Sequence, residues 1–411
     1  MTKVAPLDSP VLPRLEPKPL SQQRTWAASH ASAFAGRFYF PELDAIRIFL
    51  FFGVWSYHSL PRDASFFAAH GFPAPLASLI ISAVKATMCS LDVFFILSAF
   101  LITELLLRER ALKTVVDLKA FYFRRLLRIW PLYFFMIAIA VLFTRFDPTQ
   151  GPSWSYVFPF FLFAGNWIMV FRGFRLASFM APLWSVSFEE QFYLLWPLVL
   201  RKASMKTIRN IAIGLLVVAS LVRLTLLLRH AGGAPLWFNT FVRLDSIALG
   251  ILLALLFHGR PTPSFGSPAR LALLLLGISA WLIVGHYCGL LNPFPTLAGG
   301  MVGYPLMSFG GAAIFLSVFG ASQDGFSFLK NPSLVDLGKI SYGLYAFHQL
   351  ALQLSERLFA QYHFPFEWTL SWLSALGMTF LLAIISFRYL ESPFLKWKQK
   401  SFTHVPSGAI A

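Results

Sequence analysis

The sequence has few cysteines and few charged residues. Cysteine occurs twice in 411 residues, at Cys89 and Cys288, and both positions lie in apolar runs. This excludes a disulfide framework and a cysteine-rich zinc or iron–sulfur site, because each of these needs several cysteines. Charged residues make up 13% of the chain, whereas soluble proteins carry roughly a quarter. A soluble fold of this composition would expose a largely apolar surface and would aggregate.

Apolar and aromatic residues dominate the sequence instead. Hydrophobic residues make up 57% of the chain, and phenylalanine alone contributes 45 residues. They occur in long runs without the alternation typical of a membrane β-barrel, so the runs predict helices. We therefore predict an all-α integral membrane protein, a polytopic bundle of about ten transmembrane helices. The transmembrane domain should cover 41–395, between a disordered cytoplasmic tail at 1–40 and a cytoplasmic tail at 396–411.

Basic residues indicate the orientation of this bundle. Lysine and arginine outnumber aspartate and glutamate by 34 to 18, a net charge of +16. They lie in short loops and form no basic groove interleaved with aromatics, so nucleic acid is not an expected partner. Cytoplasmic loops collect basic residues, which predicts a multi-pass inner-membrane protein with both termini in the cytoplasm. A span at 156–171 would invert every later helix, so we interpret this segment as re-entrant or interfacial.

Ionisable residues inside apolar segments are candidates for function, because the bilayer makes them costly. Arg47 and His58 have ten residues between them, and a helix places both on one face about 16 Å apart. We predict that they line one continuous polar cavity, reached by at least one of the glutamate pair, Glu189 and Glu190. The alternatives are a snorkelling Arg47 with a packing role for His58, and glutamates paired with arginines of other helices.

Other polar residues divide into a phosphate-binding candidate and structural candidates. The arginine cluster, Arg124, Arg125 and Arg128, lies near Trp130, and guanidinium forks suit phosphate oxygens while an indole can stack on a flat base. Headgroups of anionic membrane lipids are the alternative ligand. We expect Arg243 and Asp245 to form a structural ion pair. His348, one turn after Tyr345, belongs either to the site or to a core network.

Seven segments resemble, in order, the motifs of the membrane acyltransferase-3 family. In the first, Arg47 and His58 match the arginine and histidine that this family separates by ten residues. The other six segments are LDVFFILSAFLIT, FYFRRLLRIWPLYFF, LWSVSFEEQFYLLWP, FVRLDSIALG, LGKISYGLYAFHQL and YLESPF. The departures from the family pattern remove no ionisable group; they are Ala99, Phe188 and Phe347. The likeness extends over 43–393.

The resemblance implies an enzyme that transfers an acyl group, usually acetyl from acetyl-CoA, to a hydroxyl of a sugar-containing acceptor, without a metal. His58 would accept the hydroxyl proton or relay the acyl group, and Arg47 would hold donor phosphate or an oxyanion. The arginine cluster with Trp130 would hold CoA. Glu189 or Glu190 would orient or charge-balance the histidine, and His348 would support the acceptor side. The chain is expected to be a standalone member, without the extracytoplasmic domain that many relatives carry.

A secondary transporter or exporter of a sugar or lipid is the alternative function. Intramembrane histidine, glutamate and arginine residues also suit proton-coupled transport. The sequence contains no evident internal repeat, which disfavours a transporter built from inverted halves. The order of the seven motifs favours the acyltransferase.

Overall fold

The computed structural model describes residues 38–113, 115–146, 153–173, 179–321, 326–360 and 367–401. These residues form helices and no β-strand, which confirms the prediction of an all-α bundle. The helices are α1 (Pro41–Ser59), α2 (Ala64–Ala69), α3 (Ala74–Ala86), α4 (Ser90–Lys113), α5 (Leu118–Phe146), α6 (Trp154–Phe161), α7 (Gly165–Arg172), α8 (Leu183–Lys202), α9 (Met205–Leu228), α10 (Gly233–Trp237), α11 (Leu244–Phe257), α12 (Ser267–Ile283), α13 (Leu297–Val318), α14 (Pro332–Lys339), α15 (Ser341–Phe359), α16 (Glu367–Ser386) and α17 (Ser392–Ser401).

Most of both predicted tails, residues 1–37 and 402–411, lies outside the described residues. The predicted boundary at 395 falls inside α17, so the helical part of the chain continues past it.

Seven helical stretches of the described chain are long and apolar enough to cross a membrane. They are Ala74–Lys113, Leu118–Phe143, Met205–Leu228, Thr240–Phe257, Ser267–Cys288, Leu297–Val318 and Glu367–Trp397. This number differs from the ten predicted spans. The predicted spans missing from it are α1, α8 and α15, which are helices of 19, 20 and 19 residues. These three carry the polar residues singled out above, and those residues lower the hydropathy on which a count of spans depends.

The helices differ in how much of their surface the bundle covers. The apolar window in Ala74–Lys113 is 78% buried, whereas those in Met205–Leu228 and Glu367–Trp397 are each 22% buried. Since exposed leucine and phenylalanine side chains are stable in lipid, α9 and α16 lie at the rim of the bundle and α4 runs through its centre. The polar residues of α1, α8 and α15 therefore have a protein interior to face.

Segment 156–171 is built from two short helices rather than from one span. Helices α6 and α7 have eight residues each, about 12 Å apiece, which is too short for a hydrocarbon core of about 30 Å. Tyr133 Oη donates to the carbonyl oxygen of Phe160 at 2.8 Å, and Gln191 Nε2 donates to that of Phe163 at 2.8 Å. Two carbonyl oxygens of the turn between the helices are thus hydrogen-bonded to protein side chains, which is what irregular backbone at membrane depth requires.

The predicted ion pair between Arg243 and Asp245 is wrong. Arg243 Nη2 donates to Asp92 Oδ2 at 2.7 Å, and Asp245 pairs with Arg223 of α9. Residues two apart near a helix start point in nearly opposite directions, so each of them finds its partner on a different helix. Asp92 also accepts from Ser308 Oγ at 2.9 Å. One buried carboxylate of α4 therefore connects the start of α11 with α13.

Replacing Asp92 by asparagine should lower the stability of the protein markedly. The change leaves the buried guanidinium of Arg243 without its counter-charge, and breaking one partner of a buried pair costs about 3–5 kcal/mol. Thermal unfolding of the purified protein in detergent measures the effect. Asp336→Asn is the matched control, because the Asp336–Lys339 pair is exposed and such pairs contribute about 1 kcal/mol or less. Equal melting temperatures for the two variants would contradict this role of Asp92.

Candidate active site

A basic cavity lies inside the bundle, and we call it the arginine cavity. Its volume is about 120 Å³. Its polar lining comes from α1, α4, α5, α8 and α15 and consists of Arg47, Ser98, Arg125, Arg128, Ser185, Glu189, Tyr193, Ser341, Tyr342 and Tyr345. The structure thus brings together one residue of the predicted Arg–His motif, one glutamate of the predicted pair and two members of the predicted arginine cluster.

Positive charge prevails in the arginine cavity. Glu189 accepts hydrogen bonds from Ser98 Oγ at 2.9 Å and from Tyr193 Oη at 3.2 Å. The guanidinium carbon of Arg125 lies 5.3 Å from the ring centre of Tyr193, and Arg47 pairs with Asp44 one turn before it. Together with Arg128, three guanidinium groups and the single carboxylate of Glu189 therefore line this cavity. Guanidinium groups gathered in this way suit an anionic ligand such as a phosphate.

The predicted arginine cluster divides between two environments. Arg125 and Arg128, three residues apart on one face of α5, line the arginine cavity. Arg124 is not among the residues lining it; its Nη2 lies 3.7 Å from Glu109 Oε2 on α4. Trp130 also lies elsewhere, donating through its indole to Glu190 Oε2 at 3.3 Å. The glutamate pair is split in the same way, because adjacent helical residues point about 100° apart.

A second cavity, of about 60 Å³, contains His58, and we call it the histidine cavity. Its lining consists of Val54, Tyr57, His58, Met88, Leu91, Ala181, Pro182, Trp184, Trp237, Tyr345 and Gln349. Four large aromatic side chains and one amide thus line the cavity beside the imidazole of His58. Such a lining has ring faces for an apolar or sugar surface and a polar group for a hydroxyl.

His348 lies next to His58, on the side away from the histidine cavity. The two imidazole ring centres are 5.1 Å apart. His348 is fully buried, and its Nδ1 donates to the backbone oxygen of Tyr345 at 2.5 Å. Its Nε2 is therefore the acceptor nitrogen, and it has no hydrogen-bond partner among the described residues. The two histidines predicted from widely separated segments meet, with His58 on the cavity and His348 in the packed interior.

The two cavities adjoin but are separate, which differs from the predicted single cavity. Both are lined by Leu91 of α4 and Tyr345 of α15. Helix α1 contributes Arg47 to one cavity and His58 to the other, so the residues that share one face of this helix open into different spaces. Glu189 lines the cavity that contains Arg47, whereas Glu190 is not among the lining residues of either cavity. The sequence does not distinguish Leu91 from the other apolar residues of its run. It therefore could not predict that two cavities would form instead of one.

Fold and cavities together define a multi-pass membrane protein with a basic cavity and a histidine cavity inside its bundle. A family model described as an acyltransferase domain matches residues 40–388. The chain belongs to this acyltransferase-3 family, as its motifs indicated.

The comparison with curated proteins finds relatives in Staphylococcus aureus. The chain is 26% identical over 391 residues to "O-acetyltransferase OatA" of strain NCTC 8325 / PS 47, and equally to that of strain COL. Each alignment covers 90% of this chain and 59% of the relative. The chain thus spans about three fifths of the length of these curated relatives. No solved structure matches it.

Proposed function

We propose that the protein is an acetyl-CoA-dependent O-acetyltransferase of the inner membrane. It moves an acyl group from cytoplasmic acyl-CoA to a hydroxyl of a sugar-containing acceptor, such as a cell-surface polysaccharide or its lipid-linked precursor. The observation that carries the proposal is that a basic cavity adjoins a histidine cavity within the bundle. Family membership supports acyl transfer, and the name of the relatives supports acetyl as the group.

The arginine cavity is the proposed donor site. Phosphates of CoA cannot cross hydrocarbon, so the donor enters from the side on which it is made. This cavity takes its residues from the first halves of α1, α5 and α15 and from Ser185 to Tyr193 of α8. Basic residues lie at the starts of two of these helices: Lys113 and Lys119 flank the start of α5, and Lys339 precedes α15. The rule for basic loops supports a cytoplasmic position of these helix starts.

The histidine cavity is the proposed site of the acceptor. Tyr57, Trp184 and Trp237 have flat apolar faces against which the C–H face of a sugar ring can pack, and Gln349 has an amide for its hydroxyls. A histidine suits the base that the reaction needs, because imidazole can accept a proton near neutral pH. His58 is our choice over His348 because it lines this cavity.

The reaction follows from these positions. The acceptor oxygen attacks the thioester carbonyl while His58 takes its proton, so that a C–O bond forms and the C–S bond breaks. The CoA thiolate leaves, and the proton held by the histidine restores the thiol. Arg47 and its neighbours in the arginine cavity hold the anionic donor through this step. Glu189, bonded to Ser98 and Tyr193 beside Arg125, balances guanidinium charge in the donor site.

The assay that tests the proposal uses purified protein and acetyl-CoA radiolabelled in the acetyl group. We expect label to enter a sugar-containing acceptor, or to be released as acetate when no acceptor is present. The control is the same preparation carrying His58→Ala. Intact acetyl-CoA after incubation with a broad set of glycan and lipid-linked sugar acceptors would contradict the proposal and favour a transporter.

A further inference from the structure

Leu91 and Tyr345 line both cavities, and we call these two side chains the partition. The two side chains are held in place differently. Tyr345 Oη donates to Pro182 O at 3.0 Å and is hydrogen-bonded to Ser185 Oγ at 2.7 Å. These bonds tie the phenol of α15 to the start of α8. Leu91 is 8% exposed and belongs to the apolar core around α4. Its aliphatic side chain can change rotamer without breaking a hydrogen bond, so it is the more yielding side of this partition.

We propose that the acyl group of the donor passes between Leu91 and Tyr345, and that this constriction limits the length of the acyl chain. The inference rests on the proposed function. The donor is held by its phosphates in the arginine cavity, and the sugar is held in the histidine cavity. Neither substrate therefore has to leave its cavity. For the acceptor oxygen to attack the thioester carbon, only the acyl end has to enter the partition. An acetyl group places a single methyl there, whereas a longer chain needs extra room between an anchored ring and a packed leucine.

The apolar side chain of Leu91 in the partition sets how strongly acetyl-CoA should be preferred over longer acyl-CoAs. One methylene too many in an apolar pocket changes transition-state binding by about 1–3 kcal/mol, roughly 10- to 200-fold in specificity. The protein should therefore use acetyl-CoA in preference to propionyl-CoA and butyryl-CoA. Truncating Leu91 should remove most of this preference, because it widens the partition on the side that carries no hydrogen bond.

The test compares kcat/KM for acetyl-, propionyl- and butyryl-CoA in the wild type and in Leu91→Ala. We expect the butyryl-to-acetyl ratio to rise at least about tenfold in the variant. Leu101→Ala is the matched control: Leu101 lies on the same helix, is 7% exposed and lines the arginine cavity without reaching the histidine cavity. Its ratio should stay close to that of the wild type. An unchanged ratio in Leu91→Ala, or an equal rise in both variants, would overturn the inference.

A second variant keeps the test decisive if Leu91→Ala does not fold. Tyr345→Phe removes both hydrogen bonds of the phenol but keeps the ring, so it should raise the butyryl-to-acetyl ratio by loosening the other side of the partition. An unchanged ratio in this folded variant would also count against the inference. Failure of the proposed function gives a different result, because the wild type would then transfer no acyl group at all.

Discussion

Replacing His58 by alanine is expected to abolish acyl transfer and to leave a folded protein. A sugar hydroxyl is a weak nucleophile, and a positioned base contributes roughly a hundred- to ten-thousandfold to such a reaction. His58 lines the histidine cavity and is only partly buried, so its loss should enlarge a cavity rather than break the core. Activity at equal expression, together with the elution profile in detergent, measures both parts of this expectation.

The matched variant is His348→Gln, at the neighbouring imidazole. His348 touches the ring of His58 and donates to Tyr345 O, so we expect it to position His58, and a glutamine can keep one hydrogen bond there. Transfer by this variant should be reduced much less than by His58→Ala. Near-full activity of His58→Ala with an inactive His348→Gln would instead make His348 the base.

Replacing Arg125 and Arg128 together by glutamine should weaken the binding of the donor. Each hydrogen bond to a charged group contributes about 1.5–3 kcal/mol, so the KM for acetyl-CoA should rise roughly tenfold or more for each arginine lost. The turnover number should fall less, since ground-state binding is what these residues supply. Steady-state kinetics with varied acetyl-CoA gives both constants.

Arg124→Gln is the matched control for this pair. Arg124 lies beside Glu109 and is not among the residues lining the arginine cavity. Its replacement should therefore change the KM for acetyl-CoA less than the joint replacement of Arg125 and Arg128 does. An unchanged KM in the double variant would show that Arg125 and Arg128 bind something other than the donor, such as lipid headgroups.

The helical bundle was predictable from the sequence because apolar runs and basic loops follow directly from the physics of the bilayer. The polar residues of α1, α8 and α15 were predictable as interior residues for the same reason, since lipid would make Arg47, Glu189 or His348 costly. The number of spans was harder to predict, because the same polar residues make these three helices less apolar than a typical span.

Pairing between helices was not predictable from one sequence. The nearby acid Asp245 suggested a partner for Arg243, whereas the fold supplies Asp92 from another helix. The spacing of the three arginines along α5 predicted one shared role for them, whereas Arg124 lies beside Glu109 of the preceding helix, α4. Leu91 is one leucine among many, and only the fold places it with Tyr345 on the lining of both cavities. These features depend on which helix faces become neighbours.

The most direct test of the account is whether acyl transfer runs from one side of the membrane to the other. Everted membrane vesicles containing the protein expose their cytoplasmic face, so acetyl-labelled acetyl-CoA can be added to that face alone, with a glycan acceptor enclosed in the lumen. We expect labelled ester on the enclosed glycan, CoA remaining outside, and no labelled ester with His58→Ala. Labelled acetyl-CoA recovered intact from the lumen, or ester formed only when donor and acceptor share one side, would contradict the account.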